Sequence, residues 1–257
     1  MTHLDKMERS PEFYAKVKNY RRSEAAVIFG KQLHEQHLRL DSEDFSYRII
    51  NHWEKNGLLL NARPDGKGWR RYSIIDVIWI NVMGALRDFG YSIEALKKLR
   101  DFLDRKDWKH QLSAMDLIEY YTAKVLSQKT QTFICVFSDG CLGILNNVEY
   151  QDMVGMMSTR NHININLNVI IQKVFDQVDL NPVLEEMLEI TPNETYLLAN
   201  ARTGNYEYID VRITPESGLT YSPQDIRKNF VELIDIINND KFQEISIKVK
   251  GHDAVSI

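Results

Sequence analysis

The stretch Ser46–Tyr72, SYRIINHWEKNGLLLNARPDGKGWRRY, gathers residue types that bind polyanions. Arginine carries a rigid fork of donors that matches phosphate oxygens and guanine edges, and asparagine, as at Asn51, can bond adenine through a donor and an acceptor at once. In chain order the stretch offers a helix, a hairpin-like wing and an Arg-Arg-Tyr strand opening onto another helix. Such an order can set a helix in a DNA major groove with a basic loop beside it.

Other candidate chemistry is thin. His34, His37 and His52 lie close in sequence, but no cysteine or carboxylate stands at ligand spacing, so all three are expected on the surface. Glu185, Glu186 and Glu189 form an acidic helical face, expected to be solvated. Cys135 and Cys141 flank a turn. With Asp139-Gly140 as a two-residue hairpin loop, Ser138 pairs with Cys141 and Cys135 with Ile144, which places the two thiols on opposite faces. A soft-metal site needs converging thiolates, so both are expected as small buried hydrophobes, with a metal site left open only for a wider loop. The chain has no phosphate loop, no G-x-S-x-G, no H-E-x-x-H and no C-x-x-C. No enzyme activity, cofactor or metal is expected.

The elements that must position the basic stretch follow from capping signals. Residues 1–22 are polar and are expected as a flexible arm. Ser23 caps a helix over SEAAVIFGKQLHEQH with Val27, Ile28 and Leu33 inward. Asp41-Ser42-Glu43-Asp44 is expected to cap the next helix, which runs through Tyr47, Ile50 and Trp53 to Lys55 and stops at Gly57. Leu58–Arg63 and Gly68–Tyr72 are expected as two strands around Pro64-Asp65-Gly66-Lys67, a turn in which proline presets φ and glycine accepts positive φ. Ser73 with Asp76, and Ser113 with Asp116, make capping boxes. Between them Ser92 caps a helix with Ile93, Leu96, Leu99 and Leu103 on one stripe. After Thr130 the period changes to that of strands: TFICVF and CLGIL as a hairpin, HINI, TYLLAN, YEYIDVRI, and a final pair around Gly251. Helices are expected over LNVIIQKVFDQV, PVLEEMLEI and from Ser222-Pro223 onward.

The totals are those of a globular protein: 257 residues, 44% hydrophobic and 26% charged. No run approaches the roughly 18 apolar residues of a membrane span, and the start lacks the apolar stretch of a secretion signal, so a cytoplasmic location is expected. The net charge of −4 is unevenly spread. Residues 1–130 carry 23 Lys+Arg against 18 Asp+Glu, and residues 131–257 carry 9 against 18. A basic half suits a polyanion, which an acidic half would repel.

The segment Arg48-Ile49-Ile50-Asn51-His52-Trp53-Glu54-Lys55-Asn56-Gly57-Leu58-Leu59 resembles the R-x-I-R-Y-Y-E-x-x-G-L-L segment of MerR-type transcription regulators. Gly68-Trp69-Arg70-Arg71-Tyr72-Ser73 is similar to that family's G-Y-R-R-Y-S wing, and Phe89-Gly90-Tyr91-Ser92-Ile93-Glu94 to the joint of its next helix pair. The resemblance covers about Val27–Leu103. It implies a winged helix-turn-helix whose Tyr47–Glu54 helix enters the major groove. Tyr47 and Arg48 would then lie near base edges or flanking phosphates, His52 beside the backbone, and Lys67, Arg70 and Arg71 on phosphates, while Asn51 keeps a side chain able to bond adenine. Alternation along the strand puts Arg70 with Tyr72 on one face and Arg71 on the other, so one arginine is expected to touch DNA and the other to brace the wing. Two departures stand out: about seven extra residues before the recognition helix, and Asn51 in place of an arginine. The resemblance also implies dimerisation through a helix after this unit, for which Ser113–Gln128 is the candidate, with Leu117, Tyr121, Lys124 and Val125 as its seam.

The expected fold class is α+β. It comprises an arm (1–22), a MerR-like winged-helix domain (23–108), a connecting or dimerisation helix (109–130) and an α+β effector or partner domain with antiparallel strand pairs (131–257). The expected function is a DNA-binding transcription regulator acting as a homodimer on double-stranded DNA, with a small-molecule or protein effector. The alternatives are an excisionase-like or architectural DNA-binding protein of a mobile element, and a protein-interaction module without DNA binding.

Overall fold

The computed structural model describes residues 9–40, 45–61, 70–107, 109–156, 161–175, 178, 180 and 190–257. Several expected features fall outside these residues: the caps at Asp41–Asp44, the Pro64–Lys67 turn with Gly68 and Trp69, and the acidic face at Glu185, Glu186 and Glu189.

Residues 11–22, expected within a flexible arm, instead form helix α1 (Pro11–Arg22), capped by the Ser10 hydroxyl with proline at its first turn. The reason lies in an apolar stripe hidden among charges: Phe13, Val17 and Tyr20 recur at helical spacing, and Val17 and Tyr20 are buried. Helix α2 (Glu24–His34) follows directly, with the Ser23 hydroxyl accepting from the Ala26 amide at 3.2 Å. Its inward stripe is Ala25, Phe29, Gln32 and Leu33; Val27, expected inward, is exposed. Helices α3 (Tyr47–Lys55), α4 (Ile74–Asp88), α5 (Ile93–Leu103) and α6 (Ala114–Gln128) come next.

Both capping boxes form, and each carboxylate also holds a neighbour. Asp76 accepts from the Ser73 amide at 2.8 Å and from Asn61 at 3.0 Å, fixing the chain just after α3 onto the start of α4. Asp116 accepts from the Ser113 amide at 2.8 Å and pairs with Arg21 of α1 at 2.6 Å.

The remainder is β1 (Thr132–Phe137), β2 (Leu142–Asn146), α7 (Asn147–Met156), β3 (His162–Asn166), α8 (Leu167–Val174), α9 (Pro192–Thr203), β4 (Tyr208–Thr214), β5 (Ser217–Tyr221), α10 (Pro223–Asn238), β6 (Glu244–Lys248) and β7 (Val255–Ser256). The strands make two antiparallel sheets, ordered β2-β1-β3 and β5-β4-β6-β7. The fold class is α+β, as expected.

Three local expectations are corrected. TYLLAN is helix, not strand, because Thr191-Pro192-Asn193-Glu194 is a full capping box with proline at its first helical position. Leu58–Asn61 is not a strand; the Leu58 carbonyl instead accepts from the Trp79 indole at 2.8 Å. The hairpin loop has three residues, Ser138–Gly140, with Gly140 at φ 82°, so Cys135 pairs with Gly143 and the Phe137 amide bonds the Cys141 carbonyl. This register puts both cysteines on one face, where they are reduced and buried, and burial pushes the Cys135 thiol up to about 12. Among the described residues, no group of three or more His, Cys, Asp or Glu is placed to hold a metal ion.

Helix α6 runs through the middle of the molecule. Eleven of its fifteen residues are buried, including Leu117, Tyr121 and Val125 of the expected dimer seam. Helix α9 lies along it, and Arg202 of α9 donates to the carbonyls of Leu126 (2.7 Å) and Ser127 (3.2 Å), placing a cation at the α6 C-terminus where the helix dipole favours one. The seam is covered within the chain, which overturns the expectation that α6 pairs two subunits. The buried residues form one cluster that runs from Val17 of α1 to Val255 of β7, across the boundaries expected at 108 and 130. No described helix is long and apolar enough to cross a membrane.

Candidate nucleic-acid interface

Helix α3 starts later than expected and is capped by Ser46, not by Asp41–Asp44; the Ser46 hydroxyl accepts from the Ile49 amide. It turns Ile50 and Trp53 inward, and Trp53 meets the Phe45 ring at 5.5 Å. Phe45 fits because α4 has Gly84 opposite it: a Cβ there would come within 2.7 Å of the ring. Past Lys55 the chain leaves through Gly57 at φ 69°, a left-handed position that suits glycine. What α3 presents to solvent is Tyr47, Arg48, Ile49, His52 and Lys55, of which Arg48, His52 and Lys55 recur at i, i+4, i+7 along a single stripe.

The two arginines that end the wing have different surroundings. Arg70 donates to Asn51 Oδ1 at 2.7 Å and pairs with Glu54, and its guanidinium lies 5.6 Å from the centre of the Tyr47 ring. Its side chain is only 8% exposed. Burial raises the Tyr72 hydroxyl, and the neighbouring Arg70 charge offsets part of that rise. Arg71 is exposed, with one contact of 3.4 Å to the His37 carbonyl. Leu38 and Tyr72 form an antiparallel bridge beside it, with amide–carbonyl distances of 2.9 and 3.0 Å. The extra residues between α2 and α3 thus act as a strap that fastens the end of the wing.

Of the residues expected to contact DNA, Tyr47, Arg48 and His52 are exposed on α3, and Arg71 is exposed beside the strap. Arg70 and Asn51 bond each other instead, so Arg70 braces the wing against α3 and the Asn51 carbonyl is occupied. Lys67 lies outside the described residues. Arg21, near the end of α1, is held by Asp116. The sequence reading missed Glu54 as the anchor of Arg70 and Leu38 as the partner of Tyr72. Strand alternation signalled the first, because it had already separated Arg70 from Arg71. Nothing local in HEQHLRL signalled the second.

No curated protein and no solved structure matches the chain. The family model described as MerR HTH family regulatory protein matches residues 44–103, which span α3, the wing, α4 and α5. This N-terminal part of the chain is of MerR type.

Proposed function

We propose that the protein is a sequence-specific DNA-binding transcription regulator. Helix α3 enters the major groove with Tyr47, Arg48 and His52, and Arg71 binds the adjacent backbone. The reading is carried by the contrast between the exposed Arg71 and the buried Arg70, which clamps the wing to α3 through Glu54 and Asn51. A helix and a basic segment held rigidly to each other can read a groove and a phosphate in one register. The protein acts as a homodimer on a two-fold site, through a surface other than α6, and its C-terminal half senses an effector.

The test is binding to duplex DNA from the upstream region of its own gene across a salt series. A log–log slope of several phosphate contacts is expected for the native chain, with strong loss in Arg48→Ala, Arg71→Ala. A flat slope, or a double variant that binds like the native chain, would refute the reading. Sedimentation with and without DNA checks the dimer.

A further inference from the structure

A cavity of about 350 Å³ is lined by Tyr20 and Arg21 of α1, by Glu119 and Tyr120 of α6, and by one face of α2. On α2 the lining includes Ala26, Val27, Gly30, Lys31 and His34, which recur at helical spacing. Glycine inside a helix weakens it relative to alanine, and Gly30 has no reason within the chain to be one. Its φ is not positive, and a Cβ there would meet nothing within 4 Å beyond the backbone of its own helix. Two phenols add a second signal. Tyr20 and Tyr120 are buried, at 8% and 5% exposure, with ring centres 5.3 Å apart. Neither hydroxyl makes a hydrogen bond among the described residues, whereas the neighbouring Tyr121 bonds Glu149 at 2.6 Å. Buried phenols usually find a partner. Burial raises both hydroxyls, Tyr120 to about 12, so each keeps its proton and can donate. The charges complete the picture. Arg21 pairs with Asp116 at 2.6 Å and Glu119 with His34 at 2.8 Å, while the exposed Lys31 ammonium has no ion pair among the described residues.

We propose that this cavity binds a flat aromatic carboxylate of one or two rings. Its ring fills the space beside Gly30 and Val27, its carboxylate accepts from the Tyr20 and Tyr120 hydroxyls, and Lys31 balances its charge. The volume falls within the range of small-molecule sites, which pair an apolar lining with a few placed polar groups. Phenol donors and an unpaired ammonium suit an anion, and an apolar helix face suits a ring. The site belongs to α1, α2 and α6 and not to the C-terminal half, so it goes beyond the effector role proposed above and does not rest on it. Every readout below is made without DNA, so the site and the DNA reading can fail separately.

The probe is 2-naphthoate, with 2-naphthamide as a control of nearly the same shape and no charge. Calorimetry and thermal unfolding on the full chain are expected to show saturable binding of the naphthoate, and binding of the amide weaker by roughly tenfold or more. Gly30→Leu fills the open space with a better helix former, so it is expected to unfold at the same or a higher temperature and to lose the naphthoate. Tyr20→Phe, Tyr120→Phe removes two hydroxyls that bond nothing in the chain, and is expected to keep the native unfolding temperature and to weaken binding roughly tenfold. Lys31→Gln alters an exposed side chain and is expected to weaken binding by a similar factor. Absence of binding, equal binding of the amide, or undiminished binding by Gly30→Leu would overturn the site. Undiminished binding by the tyrosine or the lysine variant would overturn the partners assigned to the carboxylate.

Discussion

Helices α3 and α6 both begin at a serine cap and both carry aromatic and basic residues, yet the molecule uses them in opposite ways. Helix α3 buries Ile50 and Trp53 among nine residues and shows the rest, wholly or in part, to solvent. Helix α6 is covered by α1, α8, α9 and β2 and buries eleven of fifteen. Both start at a serine that accepts from a backbone amide, but the charged residues lie on one exposed stripe in only one of the two. On α3, Arg48, His52 and Lys55 do. On α6, Glu119 meets His34, and Lys124 approaches the Tyr120 ring. A surface that meets another molecule needs its charges uncommitted within the chain, and only α3 keeps them so at Arg48, His52 and Lys55.

The sharpest way to break this contrast is to truncate the most committed side chain of α6 and the arginine that ties the wing to α3. Tyr121→Ala in α6 removes a ring only 2% exposed and its 2.6 Å bond to Glu149, and should cost about 3–5 kcal/mol in urea unfolding. A loss below about 1 kcal/mol would mean that α6 is not the centre of the core. Arg70→Ala should cost about 3 kcal/mol, at the low end for a buried pair because Glu54 retains some solvent contact. Ser113→Ala, which removes one half of the α6 capping box, should cost about 1 kcal/mol.

Arg71→Ala should change stability by no more than about 0.5 kcal/mol while lowering the salt slope of DNA binding by about one. If Arg71→Ala unfolds the protein and Arg70→Ala does not, the roles assigned to the two arginines are reversed. The smallest effect concerns pH. The hydrogen bond to Glu119 is the largest influence on His34 and raises its pKa. The pair therefore contributes fully below the unfolded histidine value of about 6.5 and fades as pH rises through the higher folded value. His34 is half exposed, so a shallow fall in thermal stability over that window is expected, and Glu119→Gln should abolish it.

Helix starts were the most legible part of the fold. Ser23, Ser73, Ser92, Ser113 and Ser222 all cap helices, because a cap is a local contest between one side chain and one backbone amide. Thr191-Pro192-Asn193-Glu194 carried the same signal and lost to the apolar run YLLA, which suits a buried helix as well as a buried strand. The hairpin register was not legible, because two- and three-residue loops both fit SDG and differ by one position. Among the candidate contact residues, Arg48, His52 and Arg71 are exposed. The commitment of Arg70 to Glu54 and of Leu38 to Tyr72 could not be read from the sequence, since each joins residues from separate elements.

Because α9 lies along α6 and against α2, the MerR-type segment does not own the floor it stands on. A chimera that moves residues 23–130 onto another regulator should therefore be insoluble or molten, since α6 would arrive with its α9 face bare. The interchangeable units in this protein are smaller than the expected domains. The exposed stripe on α3 can be rewritten residue by residue, but the scaffold beneath it has to be inherited whole.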